Sequence, residues 1–138
     1  MKLPVTGGCV CGAVRYEISA APLIMVKCHC RDCQQVSGGP YAQAVIFPFP
    51  AFKIIKGAIQ HFGTPSLGGG HNLRGFCAQC GSRLTGAENP EKGIIGVVAS
   101  SLDDPALFKP QMDLFVSDVQ PWDLMDPALP KHQQYMPR

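Results

Sequence analysis

The sequence predicts a mainly β domain with little helix, stapled by metal at clustered cysteines. Three observations carry this. Short apolar runs are cut by 15 glycines and 13 prolines, and runs bounded by turn-formers read as short strands. No segment sustains a helical apolar period, which argues against a layered α/β fold. All seven cysteines fall in short-spaced clusters.

Residues 13–19, AVRYEIS, alternate Val14, Tyr16 and Ile18 with other residues, the pattern of a half-buried strand. Residues 41–48 (YAQAVIFP) and 52–57 (FKIIKG) are β-rich runs ended by Pro or Gly. Residues 58–64 (AIQHFGT), 83–88 (RLTGAE) and 93–102 (GIIGVVASSL) follow in the same style, and 112–118 (MDLFVSD) is the last clear strand. A helical turn is expected after Cys33, in QQVSG, and another in SLDDPALF with Asp103 or Asp104 near its start. LGGGHN, residues 67–72, reads as a flexible loop, and residues 120–138 as a Pro-punctuated extended tail.

A chain of 138 residues is expected to form one domain over 1–138. Hydrophobic residues make up 46% and charged residues 16%, with a formal charge of +2. That balance is too small for a nucleic-acid partner, which calls for a concentrated basic face. No apolar run is long enough to span a membrane. The start, MKLPVTGGCVCG, lacks the apolar stretch of a signal peptide, so a cytoplasmic protein is expected.

The cysteines form C-x-C at Cys9 and Cys11, C-x-C-x-x-C at Cys28, Cys30 and Cys33, and C-x-x-C at Cys77 and Cys80. An odd count in a cytoplasmic chain fits a disulfide framework poorly. Metal binding is the favoured reading, ahead of redox chemistry. On a strand, C-x-C would set two thiolates on one face. C-x-x-C does so on a tight turn, and Gly81 after Cys80 suits a backbone that turns with positive φ.

A structural zinc site closes with four ligands, and a catalytic one keeps three plus an open place. Joining Cys9 and Cys11 to Cys77 and Cys80 makes one closed site and leaves Cys28, Cys30 and Cys33 as an open one. The reverse partition strands three cysteines far apart. A histidine is the other way to close the triplet. His29 sits inside it, but neighbours on a strand point to opposite faces. His71 follows three glycines and is placed to line a site. His61 reads as a half-exposed strand residue and His132 as a solvated tail residue.

The stretches GGCVCGAVRYEI, CHCRDCQ and RGFCAQCGSRL, in this order, resemble the glutathione-dependent formaldehyde-activating enzyme (GFA, or CENP-V-like) family. The closing segment, with its lone Trp122, is also similar. The resemblance covers about residues 3 to 137. It implies a β-tent of several twisted antiparallel sheets. It implies two zinc ions per chain: a structural one at Cys9, Cys11, Cys77 and Cys80, and an exposed one at Cys28, Cys30 and Cys33. It also implies a carbon-sulfur lyase that joins formaldehyde and glutathione into S-hydroxymethylglutathione.

Zinc lowers the pKa of a bound thiol, so a thiolate is available at neutral pH. Three thiolate ligands favour a sulfur ligand over activated water, so thiol capture is expected ahead of hydrolysis. Glutathione is anionic, and Lys27, Arg31 and Arg74, with Arg83 nearby in sequence, are the candidates to orient it. Gln34 is placed for a supporting contact beside Cys33. Ser37, Gly38 and Gly39 suit either a close-approach loop or a plain turn. Trp122 reads as a core anchor rather than a substrate platform. Short loops between the clusters leave the thiol and aldehyde open. A thiol carrier or adaptor without chemistry, or a zinc or redox sensor, are the other readings.

Overall fold

The computed structural model of the chain describes residues 1–135. Its strands are β1 (Val5–Gly8), β2 (Arg15–Ile18), β3 (Ile24–Cys28), β4 (Ala42–Pro48), β5 (Phe52–Lys56), β6 (Gln60–Pro65), β7 (His71–Phe76), β8 (Arg83–Asn89), β9 (Ile94–Val98) and β10 (Met112–Leu114). One helix, α1 (Arg31–Ser37), follows β3. The strands form a three-stranded sheet, ordered β1-β2-β5, and a seven-stranded sheet, ordered β10-β3-β4-β9-β8-β7-β6. The expected mainly β, β-tent class holds. The sheets are antiparallel as expected except at one edge, where β10 runs parallel to β3.

The core lies between the sheets. Val14, Tyr16 and Ile18 alternate inward as the sequence predicts, and are buried against Val45, Phe47, Leu84, Ile95 and Val97 of the larger sheet. Burying each such side chain contributes about 1.5–3 kcal/mol. The Tyr16 hydroxyl meets Ser101 Oγ at 2.6 Å, so its polar end is satisfied inside the core. Gly7 lies opposite Tyr16 in the β1–β2 register. A side chain at Gly7 would collide with the Tyr16 hydroxyl and come within 2.5 Å of the Ser101 carbonyl.

Several local expectations are corrected. LGGGHN is not a loop throughout: the turn closes with Ser66 N–H donating to Gly70 O at 3.1 Å, and His71 already begins β7. The helix near QQVSG starts earlier, at Arg31, and so includes Cys33. The strand in GIIGVVASSL stops at Val98 and continues as a 3-10 turn, Ala99–Ser101. The strand in MDLFVSD stops at Leu114, because Phe115 turns to φ 56° and Val116–Asp118 form a 3-10 turn. The turn in SLDDPALF is present over Pro105–Leu107, and Asp104 caps it by accepting from Ala106 N–H at 3.2 Å.

The tail is folded back rather than simply extended. Asp113 N–H donates to Pro130 O, and His132 N–H donates to Asp113 O, each at 2.9 Å. His132 is therefore half-buried instead of solvated. Trp122 is not a core anchor: it is 63% exposed, because the turn that carries it aims its neighbour Asp123 inward. No helix among the described residues is long and apolar enough to cross a membrane.

Candidate metal centres

Two turns, one after β1 and one after β7, build the first centre. Gly12 N–H donates to Cys9 O at 3.1 Å, and Gly81 N–H donates to Cys77 O at 2.8 Å. Gly81 takes φ 76°, the left-handed conformation its place in the sequence predicts. Cys9 and Cys11 lie on a turn, not on a strand as expected, so the turn rather than strand alternation pairs their thiols. The Sγ atoms of Cys9, Cys11, Cys77 and Cys80 all lie within 4.8 Å of one another. Cys9 to Cys11 is 3.6 Å and Cys11 to Cys77 is 3.8 Å. Zinc–sulfur bonds of about 2.3 Å in a tetrahedron place sulfurs roughly 3.8 Å apart, so the donor set fits a tetrahedral ion. The same spacing is far beyond a disulfide bond of about 2.05 Å.

Ser82 ties the two turns together. Its Oγ accepts from Val10 N–H at 3.1 Å and lies 3.2 Å from Cys80 Sγ. That contact with Ser82 leads the lowering of the Cys80 thiol to about 5. Val14 N–H donates to Cys9 Sγ at 3.2 Å. Cys77 and Cys9 are buried, while Cys11 faces outward.

The second centre gathers Cys28, Cys30 and Cys33, whose Sγ atoms also lie within 4.8 Å of one another. Cys28 ends β3, Cys30 caps α1, and Cys33 lies in the first turn of that helix, its N–H donating to Cys30 Sγ at 3.2 Å. Hydrogen bonds from the Cys28 and Cys33 thiols push Cys30 far down, and the contact with Cys30 leads the upward push on Cys28. Thiols this close share protons unless a cation holds them, which is the chemistry of a metal-binding set. The seven cysteines thus divide into four and three as the spacing predicts. None of the histidines joins either group. His71 is exposed at the start of β7. His61, on β6, pairs with Glu88 at 2.8 Å, its side chain 38% exposed as a half-exposed strand residue would be.

The cationic candidates separate. Arg74, 7% exposed on β7, points Nη1 at Cys33 Sγ, 3.8 Å away, and its Nε donates to Thr64 Oγ1 at 3.2 Å. In a flat sheet β7 would lie roughly 19 Å from β3, so the contact exists because the sheet curls toward α1. Lys27 is buried and turned to Asp113, 3.5 Å away, with its ammonium 5.1 Å from the Tyr41 ring centre. Gln34 is saturated: Nε2 donates to the carbonyls of His29 and Asp118, and Oε1 accepts from Arg31 and Gln120. Arg31 is exposed at the head of α1.

Sequence reasoning gave Arg83 no firm role. Its guanidinium donates to Thr85 O at 2.7 Å, and burial holds its pKa down. With Val36 and Ser37 it lines a groove of about 620 Å³. Its other walls include Cys9, Val10, Gly81 and Ser82 beside the four-thiol centre and the Arg15–Asp103 pair, so the groove lies next to that centre and not on Cys28, Cys30 or Cys33. Ser37 therefore lines a groove, and Gly38 ends α1 at φ 73°. Also missed was the buried group of His29, Asp113 and Asp123. The available signal was Asp113, a charged residue in a short strand.

A mainly β domain that carries one cluster of four thiols and one of three defines a class of cysteine-rich, metal-binding-competent β folds. The chain belongs to the glutathione-dependent formaldehyde-activating enzyme family, whose family model matches residues 4–118. A crystal structure of a Rhodobacter sphaeroides protein is similar in fold, with a TM-score of 0.58 and 20% identity, covering 91% of this chain and 98% of that chain.

Proposed function

We propose that the chain captures the thiol of glutathione at a three-cysteine zinc centre and joins it to formaldehyde or a related small aldehyde, as a carbon-sulfur lyase working in either direction. The observation that carries this reading is Arg74. It is a buried cation beside Cys33, with no carboxylate partner among the described residues. Its Nη1 donates to Cys33 and its Nε to Thr64, and the rest of the guanidinium is available to a carboxylate of an anionic thiol bound at the cluster.

Zinc at Cys28, Cys30 and Cys33 would keep a bound thiol deprotonated at neutral pH. The protein's own groups orient the rest. Arg74 beside the cluster and Arg31 at the rim meet the carboxylates of the tripeptide. The thiolate sulfur then attacks the aldehyde carbon. A carbon–sulfur bond forms, the carbonyl π pair moves to oxygen, and the thiol's proton ends on that oxygen. The hydroxymethyl thioether contains all atoms of both reactants. Zinc at Cys9, Cys11, Cys77 and Cys80 would be structural, since four thiolates leave no open place.

Calorimetric titration of metal-replete protein with glutathione and with mercaptoethanol tests the reading, followed by formaldehyde consumption by NMR. Glutathione should bind more tightly and formaldehyde should be consumed faster than without protein. Equal affinities would remove the arginines from the site. Glutathione binding without faster consumption would make the protein a thiol carrier.

A further inference from the structure

The residue between Cys28 and Cys30 is held by a buried network that thiol capture does not itself use. His29 is fully buried. Its Nδ1 lies 2.6 Å from Asp123 Oδ2, and its Nε2 lies 2.7 Å from Asp113 Oδ1. Its backbone N–H donates to Leu114 O at 2.9 Å, and its carbonyl accepts from Gln34 Nε2 at 2.8 Å. The Tyr41 ring meets it edge-on, with centroids 5.3 Å apart. Every polar atom of His29 is therefore tied down. The backbone that joins Cys28 to Cys30 cannot shift at His29 without breaking a buried polar contact, and an orphaned buried group costs about 1–3 kcal/mol.

The groups that hold His29 come from far along the chain. Asp118 accepts from Arg31 N–H at 3.1 Å through Oδ2, and from Gln34 Nε2 at 2.9 Å through its carbonyl. Gln120 Nε2 donates to Gln34 Oε1 at 3.1 Å. Asp123 follows. At the other end, Lys131 Nζ donates to Asp113 Oδ2 at 2.9 Å and to the carbonyls of Asp126 and Leu129 at 2.6 and 3.0 Å. Residues 118–131 thus form a strap behind the three-cysteine loop. Nearly all of it lies beyond residue 118, where the family match stops.

We propose that Asp123 is a positioning residue for the three-cysteine centre, fixing the Cys28–Cys30 backbone through His29, and that the strap of residues 118–131 is part of that functional site. The inference rests on the triplet being the working centre. It assigns Asp123 no contact with substrate. Its effect runs through backbone placement, because the geometry of a soft-ligand centre depends on the groups that hold its ligands.

The test is thiol reactivity in the full chain. Wild-type, Asp123→Ala and Asp123→Asn proteins, with the metal they carry from purification, are alkylated with iodoacetamide, and each cysteine is followed by mass spectrometry. Asp123→Ala should speed alkylation of Cys28, Cys30 and Cys33 about tenfold, the lower end of what losing an outer-shell partner costs a metal site. Cys9, Cys11, Cys77 and Cys80 should keep their rates. Asp123→Asn keeps an acceptor oxygen for His29 and should restore most of the protection. Lys131→Gln loosens the other anchor and should give a smaller change with the same selectivity. Unchanged triplet rates in Asp123→Ala overturn the proposal. So does an equal rise at all seven cysteines, which would be general loosening of the fold. No glutathione is added, so a wild-type protein that fails to capture glutathione still gives a clear answer here.

Discussion

The Sγ atoms of Cys11 and Cys77, 66 positions apart in sequence, lie 3.8 Å from each other. Cys11 follows β1 of the smaller sheet and Cys77 follows β7 of the larger. The contact therefore joins the two sheets, and a metal ion held there contributes its binding energy to folding. Cys77→Ser should unfold the chain or lower its melting temperature sharply, read by circular dichroism. Cys30→Ser should keep the fold and lose thiol binding. Equal destabilisation by both would reverse the roles of the two centres.

Two metal ions per chain are expected, one resistant to mild chelation and one labile, because four thiolates close a site and three leave it open. Elemental analysis before and after a chelator wash checks this. A single ion per chain, or two of equal resistance, would contradict the division of labour.

Arg74 and Arg31 should differ in weight. Arg74 is 7% exposed, and a hydrogen bond to a charged partner there is worth about 1.5–3 kcal/mol. Arg74→Gln should weaken glutathione binding about tenfold or more while sparing mercaptoethanol. Arg31 is exposed, and such pairs are worth at most about 1 kcal/mol, so Arg31→Gln should cost only a few-fold. Added salt should erase the Arg31 effect first, since exposed charges are screened within roughly 8–10 Å. Titrations at two ionic strengths decide.

The Arg15–Asp103 pair makes stability depend on acid. Arg15 Nη1 donates to Asp103 Oδ1 at 2.9 Å, and a second bond runs to Oδ2. The bond to Arg15, with that from Thr6, holds the Asp103 carboxyl down at about 2. The folded value lies below the unfolded one, near 3.9. The stabilisation is therefore complete above about pH 4 and is lost as pH falls toward about 2. Both side chains are partly exposed, at 34% and 47%, so the contribution stays below about 1 kcal/mol. Asp103→Asn should flatten this part of the stability curve, measured by urea unfolding from pH 5 to 2. An unchanged slope would show that the pair contributes nothing.

Gly7→Ala should destabilise the fold by about 1–3 kcal/mol. The added carbon would collide with the Tyr16 hydroxyl and come within 2.5 Å of the Ser101 carbonyl. Pairing it with Tyr16→Phe removes the hydroxyl but leaves the ring carbon Cζ at 2.6 Å and the Ser101 carbonyl at 2.5 Å, so recovery should be partial. Full recovery in denaturant melts would place all the strain on the hydroxyl.

Some of this was legible in the residues. The three cysteine clusters follow from spacing, because C-x-C and C-x-x-C bring thiols together within a few bonds whatever the remaining fold, whereas the meeting of Cys9 and Cys11 with Cys77 and Cys80 is long-range. The conformation of Gly81 and the inward alternation of Val14, Tyr16 and Ile18 are equally local. β3 was not singled out: IMVKC follows Pro22 and Leu23 without a clean alternation, since both of its faces are partly covered. The short strand pieces in MDLFVSD and GIIGVVASSL ended early where tertiary hydrogen bonds took over the backbone.

By itself the sequence determined the cysteine clusters, the β character and the family motifs, since these rest on short-range spacing and periodicity, while the fold brought Cys9 and Cys11 to Cys77 and Cys80. Only the tertiary structure decided which cations face the open thiol cluster. Lys27 and Arg74 are equally plausible as text, yet one turns to Asp113 and the other to Cys33. It also decided that His29 is held by Asp113 and Asp123, 84 and 94 positions away. The cause is physical: a buried charge selects its partner by the three-dimensional path of the chain, and nothing in the neighbouring residues records that path.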